Sequence, residues 1–219
     1  MPPKPKFEKN DVISAAFEIA KASGIEAVTA REVGAALGCS TRPLFTYFSS
    51  MEELQTEVKE KAWDLFMDYL QIADSYSPAF KMRGMQMIKF AQDEPKLFQF
   101  LFMTEQPYSD FNAYMKNKIS GFENDICFIQ NTYVSNRIDA EIIFNQMWVF
   151  TYGICVLIAT KVCTFTQQEI AAMLGRTFIG TMMVIKSGKL NNTEITPAAN
   201  GTEKSKVFSQ NFFEAPKEN

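Results

Sequence analysis

Residues 28 to 54 read VTAREVGAALGCSTRPLFTYFSSMEEL, and this stretch decides the fold. Thr29 stands three residues before Glu32, which is the spacing of a capping box at the start of a helix. Val33 continues an apolar face until Gly38, a residue type that ends helices readily. The pattern predicts a short helix that is followed at once by a turn.

A second short helix is predicted after a three-residue turn. Ser40 is suited to cap it, and Pro43 is tolerated because the first amides of a helix have no partner within it. The helix is predicted to begin at Thr41, and its inner face is predicted to be Leu44, Phe45 and Phe48. Two short helices around a glycine-containing turn are typical of a helix-turn-helix, whose second helix enters the major groove of DNA.

Longer helices flank this pair. Apolar residues recur at helical spacing from Val12 to Ala20, and Gly24 is a plausible stop. Ser50 and Glu53 form another capping box, which opens a helix with apolar residues as far as Tyr69. This fourth helix is long enough to connect two domains.

The remainder of the chain also has helical patterns, over residues 79–92, 95–103, 111–131, 139–162 and 167–186. Thr166 and Glu169 form a capping box before the last of these. We therefore predict an all-α protein, with a flexible basic arm at 1–9, a helix-turn-helix domain at 10–55, a larger helical domain at 56–188 and a polar, mobile tail at 189–219.

Composition excludes several classes of protein. The 219 residues carry a net charge of -3, so a DNA contact has to come from a local surface. Histidine, the commonest general base and metal ligand, is absent, and the four cysteines form no CxxC pair. No nucleophile motif or phosphate loop is present, so we expect no enzyme activity, no metal and no cofactor. A reduced, cytoplasmic location is the simplest interpretation, since no signal peptide or lipidation motif opens the chain.

One segment, 142–160, has no charged residue and is long enough to be considered as a membrane span. It contains Asn145, Gln146, Thr151 and Gly153, which are poorly suited to hydrocarbon. We therefore predict a helix that is buried on all sides within the protein, with no membrane partner.

The helix-turn-helix stretch resembles the DNA-binding signature of the TetR family of regulators. The resemblance rests on residues 28–54, on Gly24 after the first helix, on Leu37-Gly38 at the turn, on Ser40 as the cap and on the LFTYF run. It implies a transcriptional regulator, which in this family is usually a repressor. Such a regulator would bind a palindromic operator in double-stranded DNA as a homodimer and would be released by a small molecule. The pairing surface would be the helices at 141–162 and 167–186.

The resemblance also assigns individual residues to DNA. Ser40, Thr41, Arg42 and Thr46 would face the groove, Tyr47 would contact a phosphate, and Thr29 and Arg31 would bind the backbone. Lys4, Lys6 and Lys9 are suited to reach along the duplex, although a solvated arm is an equal alternative. Residues 1 to 60 hold seven bases against nine acids, and Met51 stands where the family often has a lysine. Fewer phosphate contacts predict weaker, less salt-dependent binding.

Twelve methionines and twenty phenylalanines are many for this length. Adaptable and aromatic side chains are suited to line a pocket for an apolar or aromatic ligand, although most of them have to be ordinary core. The candidate lining residues are Met87, Phe98, Phe102, Met103, Phe122, Trp148 and Tyr152. The alternative function is a helical protein-interaction module whose helix-turn-helix no longer binds DNA, which the acidic charge of the N-terminal region favours.

Overall fold

The computed structural model describes residues 7–42, 44–105, 110–119 and 121–188. In these residues the chain forms ten α-helices, two short 3-10 helices and no strand, so the all-α prediction is confirmed. The α-helices are α1 Lys9–Ser23, α2 Ala30–Ala36, α3 Leu44–Tyr47, α4 Met51–Gln71, α5 Ala79–Asp93, α6 Pro95–Phe102, α7 Phe111–Lys118, α8 Phe122–Tyr133, α9 Arg137–Ala159 and α10 Gln167–Ser187. The 3-10 helices are Ile25–Ala27 and Ile72–Ser75.

The chain divides into two compact units, residues 1–182 and residues 183–219. Of the second unit the structure describes residues 183–188, which form the end of α10 and the turn after it. The predicted tail at 189–219, and Lys4 and Lys6 of the predicted arm, lie outside the described residues. Lys9, which the sequence placed in the arm, is the first residue of α1.

The predicted helix starts carry the expected caps. The Thr29 hydroxyl accepts a hydrogen bond from Glu32 N (3.3 Å), and Ser50 accepts one from Glu53 N (3.3 Å). Thr166 and Glu169 form a complete box, because each side chain accepts from the backbone amide of the other. Such caps satisfy amides that have no partner inside the helix, typically for about 1 kcal/mol each.

The main core lies where α4, α5, α6 and α9 meet. Trp63, Phe66, Phe90 and Phe102 make edge-to-face contacts there with ring centroids 5.0–5.7 Å apart. Each such pair contributes about 0.5–1.5 kcal/mol beyond the burial of its area. This cluster fixes α4, which leads out of the helix-turn-helix, against the body of the first unit.

The single helix predicted over 111–131 is wrong. The structure has two helices there, α7 and α8, separated by an extended Ile119 and by Gly121 at φ +85°. A left-handed residue cannot continue an α-helix, and a Cβ at Gly121 would lie 2.7 Å from Arg83 Nη2. The break therefore follows from the close approach of α5. Local sequence patterns do not indicate such a contact between distant residues.

The prediction that the helix at 142–160 is buried on all sides is also wrong. α9 buries Phe144, Trp148 and other residues in the core, but Val149 is 58% exposed and Leu157 37% exposed. Gly153 lies between them on the same face and is also exposed. By length and composition α9 and α10 could each cross a membrane. The exposed residues of α9 are confined to one stripe, however, which is typical of a core helix with one uncovered face.

Candidate nucleic-acid interface and interior cavity

The turn between α2 and α3 is built by backbone contact. Gly38 adopts φ +62°, and Cys39 N donates a hydrogen bond to Gly34 O (2.9 Å). A Cβ at Gly34 would lie 3.0 Å from Cys39 O, so only glycine lets the turn pack this closely on α2. Sequence reasoning singled out Gly38 and missed Gly34, whose position within a helical pattern was the available signal.

The helix α3 is a single turn and begins later than predicted. Leu44 N donates to Thr41 O (3.2 Å) and Phe48 N to Leu44 O, so Thr41 precedes the helix. Leu44 and Phe48 are buried, at 1% and 3% exposure, which confirms their inner position. Phe45 is 52% exposed, and its placement on the inner face is wrong. Leu44 and Phe48 share one face at a spacing of four, whereas Phe45 is turned about 100° away from Leu44.

Most of the residues assigned to DNA present open side chains. Arg31, Ser40, Thr41, Arg42 and Thr46 are all exposed. Among the described residues none of these side chains forms a hydrogen bond, and neither arginine forms an ion pair. Donors without partners inside the protein are available to phosphates or base edges.

The other two assigned residues are already engaged within the protein. The Thr29 hydroxyl caps α2, and the Tyr47 hydroxyl donates to Phe7 O (2.7 Å). Lys9 pairs with Glu57 and lies 5.3 Å from the centroid of the Phe48 ring. Tyr47 and Lys9 therefore tie the start of α1 to α3 and α4, a structural role that the sequence did not indicate.

Acidic residues of this region are used in its own caps. Glu53 accepts hydrogen bonds from Ser49 N (2.6 Å) and Ser49 Oγ (2.7 Å), and these bonds lower the pKa of Glu53. The pKa of Glu52 is lowered by its hydrogen bond with Ser50. Both carboxylates lie in the first turn of α4, where the helix dipole favours negative charge. Part of the acidic excess thus serves helix capping.

A second feature is a cavity of about 200 Å³ in the larger helical part of the chain. Its wall comes from α5, α8, α9, α10 and the residues just before α5 and α8. The lining residues are Pro78, Phe80, Lys81, Arg83, Gly84, Ile119, Asp125, Tyr133, Phe144, Met147, Trp148, Thr151, Leu174, Gly175, Phe178 and Ile179. Aromatic rings dominate this wall, as is usual for sites that hold small apolar molecules.

Two opposite charges lie in the cavity wall. Arg83 Nε is 2.8 Å from Asp125 Oδ2, and the two side chains are 8% and 3% exposed. Arg83 Nη2 also donates to Asp74 Oδ1 (2.7 Å) at the protein surface. Burial raises the pKa of Asp125 to about 6, although the neighbouring guanidinium acts in the opposite direction. The cavity is therefore mostly apolar, with this charged pair and the exposed Lys81 in its wall.

Residues 12–58 match the family model of bacterial regulatory proteins of the tetR family. This match spans α1 to the first turns of α4 and so contains the whole helix-turn-helix. The N-terminal part of the chain is therefore similar to the bacterial regulatory proteins of the tetR family.

Two solved structures of TetR-type proteins share the fold of this chain. A TetR family protein from Vibrio parahaemolyticus is 11% identical, with a TM-score of 0.55 over 78% of this chain and 96% of its own. A TetR-like transcriptional regulator from Rhodococcus sp. RHA1 is 16% identical, with a TM-score of 0.55 over 82% of this chain and 96% of its own. No curated protein matches the chain in sequence.

The seven residues that the sequence offered as ligand contacts lie in different places in the fold. Trp148 lines the cavity. Met87, Phe98, Phe102 and Phe122 are buried outside the cavity wall, and Met103 is 44% exposed. Tyr152 donates to Phe102 O (2.7 Å) and so joins α9 to the end of α6. Whether any of the seven binds a ligand stays a prediction.

The helix-turn-helix is attached to the cavity-bearing part at two places. α4 runs from the helix-turn-helix and packs along α5, which carries Phe80 and Arg83 of the cavity wall. Lys21 of α1 pairs with Glu94 (2.7 Å), which lies between α5 and α6 and has a side chain only 10% exposed. The hydrogen bond with Glu94 raises the pKa of Lys21. In the described residues no cluster of side chains suited to hold a metal is present.

Proposed function

We propose that the protein is a transcriptional repressor, located in the cytoplasm, that binds palindromic operator DNA as a homodimer and is released by a small, largely apolar or aromatic molecule. The observation that carries this proposal is the surface formed by Arg31, Ser40, Thr41, Arg42 and Thr46 beside a turn anchored by Leu44 and Phe48. Exposed donors on a buried anchor are what base and phosphate contacts require.

The uncovered stripe of α9 supports the homodimer. Val149, Gly153 and Leu157 recur every four residues on one face, and Ile179 of α10 is 58% exposed. Large apolar residues exposed at helical spacing favour burial against a partner, and the glycine permits close approach of a second helix. A two-fold pair would present two copies of α3 about one DNA turn, roughly 34 Å, apart.

The dimer is tested by Val149→Glu and Leu157→Glu, each of which would place a charge in the proposed interface. Sedimentation equilibrium of the wild type should give a dimer and that of each variant a monomer that is still helical. Ile72→Glu is the control, because Ile72 is a 49% exposed apolar residue at the end of α4, outside the two helices of the proposed interface. A wild-type monomer at micromolar concentration would contradict the dimer.

Release by ligand follows from the attachment of α4 to α5. A molecule in the cavity touches α5 residues such as Phe80 and Gly84, so it favours one position of α5 and, through the packed α4, one spacing of the two α3 helices. A coupling of about 1–3 kcal/mol is typical between two such sites. The ligand shifts the equilibrium only by its differential affinity for the two states.

DNA binding is tested by Arg42→Ala in fluorescence anisotropy with genomic DNA fragments. We expect loss of retention at moderate salt, because Arg42 is an exposed base that has no ion-pair partner within the part of the chain that the structure describes. Lys116→Ala is the matched control, since Lys116 is an exposed base on α7, outside both the helix-turn-helix and the proposed pairing surface. Equal retention of both variants and the wild type would contradict the assignment of Arg42.

A protein-interaction module remains the second candidate. The exposed Phe45 and the excess of acids over bases in residues 1–60 favour it, because an aromatic side chain in an acidic surface suits a protein partner better than a phosphate backbone. Under this alternative Arg42→Ala leaves partner binding unchanged, whereas Phe45→Ala abolishes it.

A further inference from the structure

A row of aromatic rings runs along the cavity wall. The ring centroids of Tyr133 and Phe178 are 5.0 Å apart, and those of Phe178 and Phe80 are 6.5 Å apart. Phe144 follows at 5.9 Å from Phe80, and Trp148 at 6.2 Å from Phe144. Tyr133, Phe178 and Phe80 are partly exposed, whereas Phe144 and Trp148 are buried. The row therefore leads from the surface into the interior, and it suits a hydrophobic body that is held by burial of its apolar area.

The outer end of this row is the mouth of the cavity. Of the lining residues, Lys81 and Ile179 are exposed, and they follow Phe80 and Phe178 directly in sequence. The helix α5 also begins here, at Ala79. In the described residues no side chain caps α5, and its first turn contains no acid. The positive end of the helix dipole therefore adds to the charge of Lys81 at the mouth.

Three polar side chains of the wall are already engaged within the protein. Arg83 Nε and Asp125 Oδ2 are buried against each other at 2.8 Å. Arg83 Nη2 also donates to Asp74 Oδ1 (2.7 Å), and the Thr151 hydroxyl donates to Met147 O (2.7 Å). These contacts hold the charges of Arg83 and Asp125 inside the fold, so the polar contact of a ligand has to come from other groups.

Three other polar groups of the wall are free to meet a ligand. In the part of the chain that the structure describes, Lys81 Nζ, the Tyr133 hydroxyl and Trp148 Nε1 have no hydrogen-bond or ion-pair partner. The nitrogens of lysine and tryptophan only donate hydrogen bonds, and a tyrosine hydroxyl donates as well as accepts. The free groups therefore favour a ligand whose polar atoms accept hydrogen bonds.

The unpaired charge at the mouth is positive. Lys81 and Arg83 are balanced in number by Asp125 and Asp74, which lies next to the wall. Both carboxylates already contact the Arg83 guanidinium, at 2.7 and 2.8 Å, and the Asp74 side chain is 59% exposed, where water and salt screen its charge. Lys81 contacts no carboxylate in the described ranges. An anion at the mouth therefore meets an unpaired cation, whereas a second cation is repelled there.

We propose that the cavity binds a hydrophobic monocarboxylate, an aromatic or aliphatic acid whose carboxylate lies at the mouth. The carboxylate accepts from Lys81 Nζ, and the apolar body lies along the row of rings from Phe80 to Trp148. Because the mouth is exposed, the carboxylate stays partly hydrated and avoids the desolvation cost of a buried ion. This inference rests on the proposed ligand control and names the chemical class of the ligand.

The test is isothermal titration of the full-length, DNA-free protein at pH 8 with three compounds of nearly equal size, 4-propylbenzoate, 4-propylbenzyl alcohol and 4-propylbenzylammonium. We expect the benzoate to bind at least about tenfold more tightly than the ammonium compound, a difference of about 1.4 kcal/mol, with the alcohol between them. Equal or tighter binding of the alcohol or of the ammonium compound would overturn the proposal, and so would no binding of the benzoate.

A second measurement assigns the polar contact. Lys81 is exposed, so Lys81→Met and Lys81→Glu are both expected to fold. In Lys81→Met the affinity for the benzoate should fall about fivefold relative to that for the alcohol, as for loss of an exposed ion pair. In Lys81→Glu the ammonium compound should bind more tightly than the benzoate. Lys89→Met, at an exposed lysine of the same helix outside the cavity wall, should leave the ratio unchanged. An unchanged ratio in Lys81→Met would overturn the proposal.

A third measurement locates the ligand. The chain has two tryptophans, Trp148 in the cavity wall and Trp63 outside it, so Trp63→Phe leaves Trp148 as the only tryptophan reporter. The benzoate should change its fluorescence at the concentration that the titration gives, and no change would contradict binding in the cavity. The outcome for the proposed function is separate. Binding of the benzoate without release of DNA would contradict ligand control alone, whereas release by another class of molecule would contradict only the inference.

Discussion

The helix-turn-helix and the cavity use polar side chains in opposite ways. Around α3, Thr41, Arg42 and Thr46 are exposed, and their side chains have no partner in the described ranges of the chain. Apolar anchors hold the backbone beneath them. In the cavity, Arg83 and Asp125 are buried among aromatic rings and held by their neighbours. The first arrangement leaves polar groups ready for a large charged partner, whereas the second holds two opposite charges against each other inside the fold. The difference implies that charge changes are tolerated structurally at the first site and destabilising at the second.

The largest expected effect is that of Arg83→Met at pH 8. The substitution leaves the Asp125 carboxylate buried without its counter-ion, and breaking a buried pair in this way costs about 3–5 kcal/mol of unfolding free energy. The double variant Arg83→Met with Asp125→Asn should recover most of the loss. Arg42→Ala, an exposed arginine, should change the unfolding free energy by less than about 0.5 kcal/mol. Urea unfolding measures the unfolding free energy of all three variants. Similar losses of unfolding free energy in Arg83→Met and Arg42→Ala would contradict the difference between the two regions.

A pH effect of about 3 kcal/mol is expected from Asp125. Its pKa is raised in the folded protein from the usual 3.8 to about 6, so the folded state holds this proton more tightly than the unfolded state does. The associated stability is present below pH 4 and is lost as the pH rises to about 6, at about 1.4 kcal/mol per unit of pKa difference. The measurement is the unfolding free energy of the wild type minus that of Asp125→Asn between pH 4 and pH 7. A flat difference would show that Asp125 does not titrate in this range.

A smaller effect, about 2 kcal/mol, is expected for Gly121→Ala. Gly121 and Gly38 both adopt positive φ, but a Cβ at Gly121 would meet Arg83 and a Cβ at Gly38 would meet nothing within 4 Å. Gly38→Ala should therefore cost only the backbone strain, about 1 kcal/mol. Gly121→Ala should cost more, because Arg83 has to move. Thermal unfolding measures the stability that each variant loses. Equal losses of stability would mean that Arg83 moves aside without an energetic cost.

The smallest effect, about 1 kcal/mol, is expected where the two regions meet. Lys21→Gln removes the counter-ion of the nearly buried Glu94 and weakens one of the two attachments of the helix-turn-helix. Lys161→Gln, at an exposed lysine, should have no measurable effect on the unfolding free energy. If ligand control depends on this attachment, Lys21→Gln should also reduce the change in DNA affinity that a ligand produces, which anisotropy measures.

The two regions also differ in how far the sequence could predict them. Signals for the helix-turn-helix are local. Thr29 and Ser50 cap helices as expected, and Gly38 ends the first helix of the motif in a left-handed conformation. Phe45 was misplaced because a one-turn helix buries only residues four apart, which leaves its middle positions outside.

The cavity could not be predicted in the same way because its signals are not local. Arg83 and Asp125 lie on different helices, and the break at Gly121 that brings them together follows from the approach of α5. The high content of aromatic residues correctly indicated that aromatic rings are available to line a pocket. It could not separate Phe98, which is buried in the main core, from Phe144, which lines the cavity. That distinction depends on which face of each helix meets which neighbour.

The most direct test of the central claim is selection from random and genomic DNA by the full-length protein at low and moderate salt, with sequencing of what is retained. The account predicts a palindrome whose half-sites lie about one helical turn apart, and loss of its retention with Arg42→Ala. Retention of no DNA at low salt by protein freed of small molecules through unfolding and refolding would contradict the account, and the protein-interaction alternative would then explain the helix-turn-helix better.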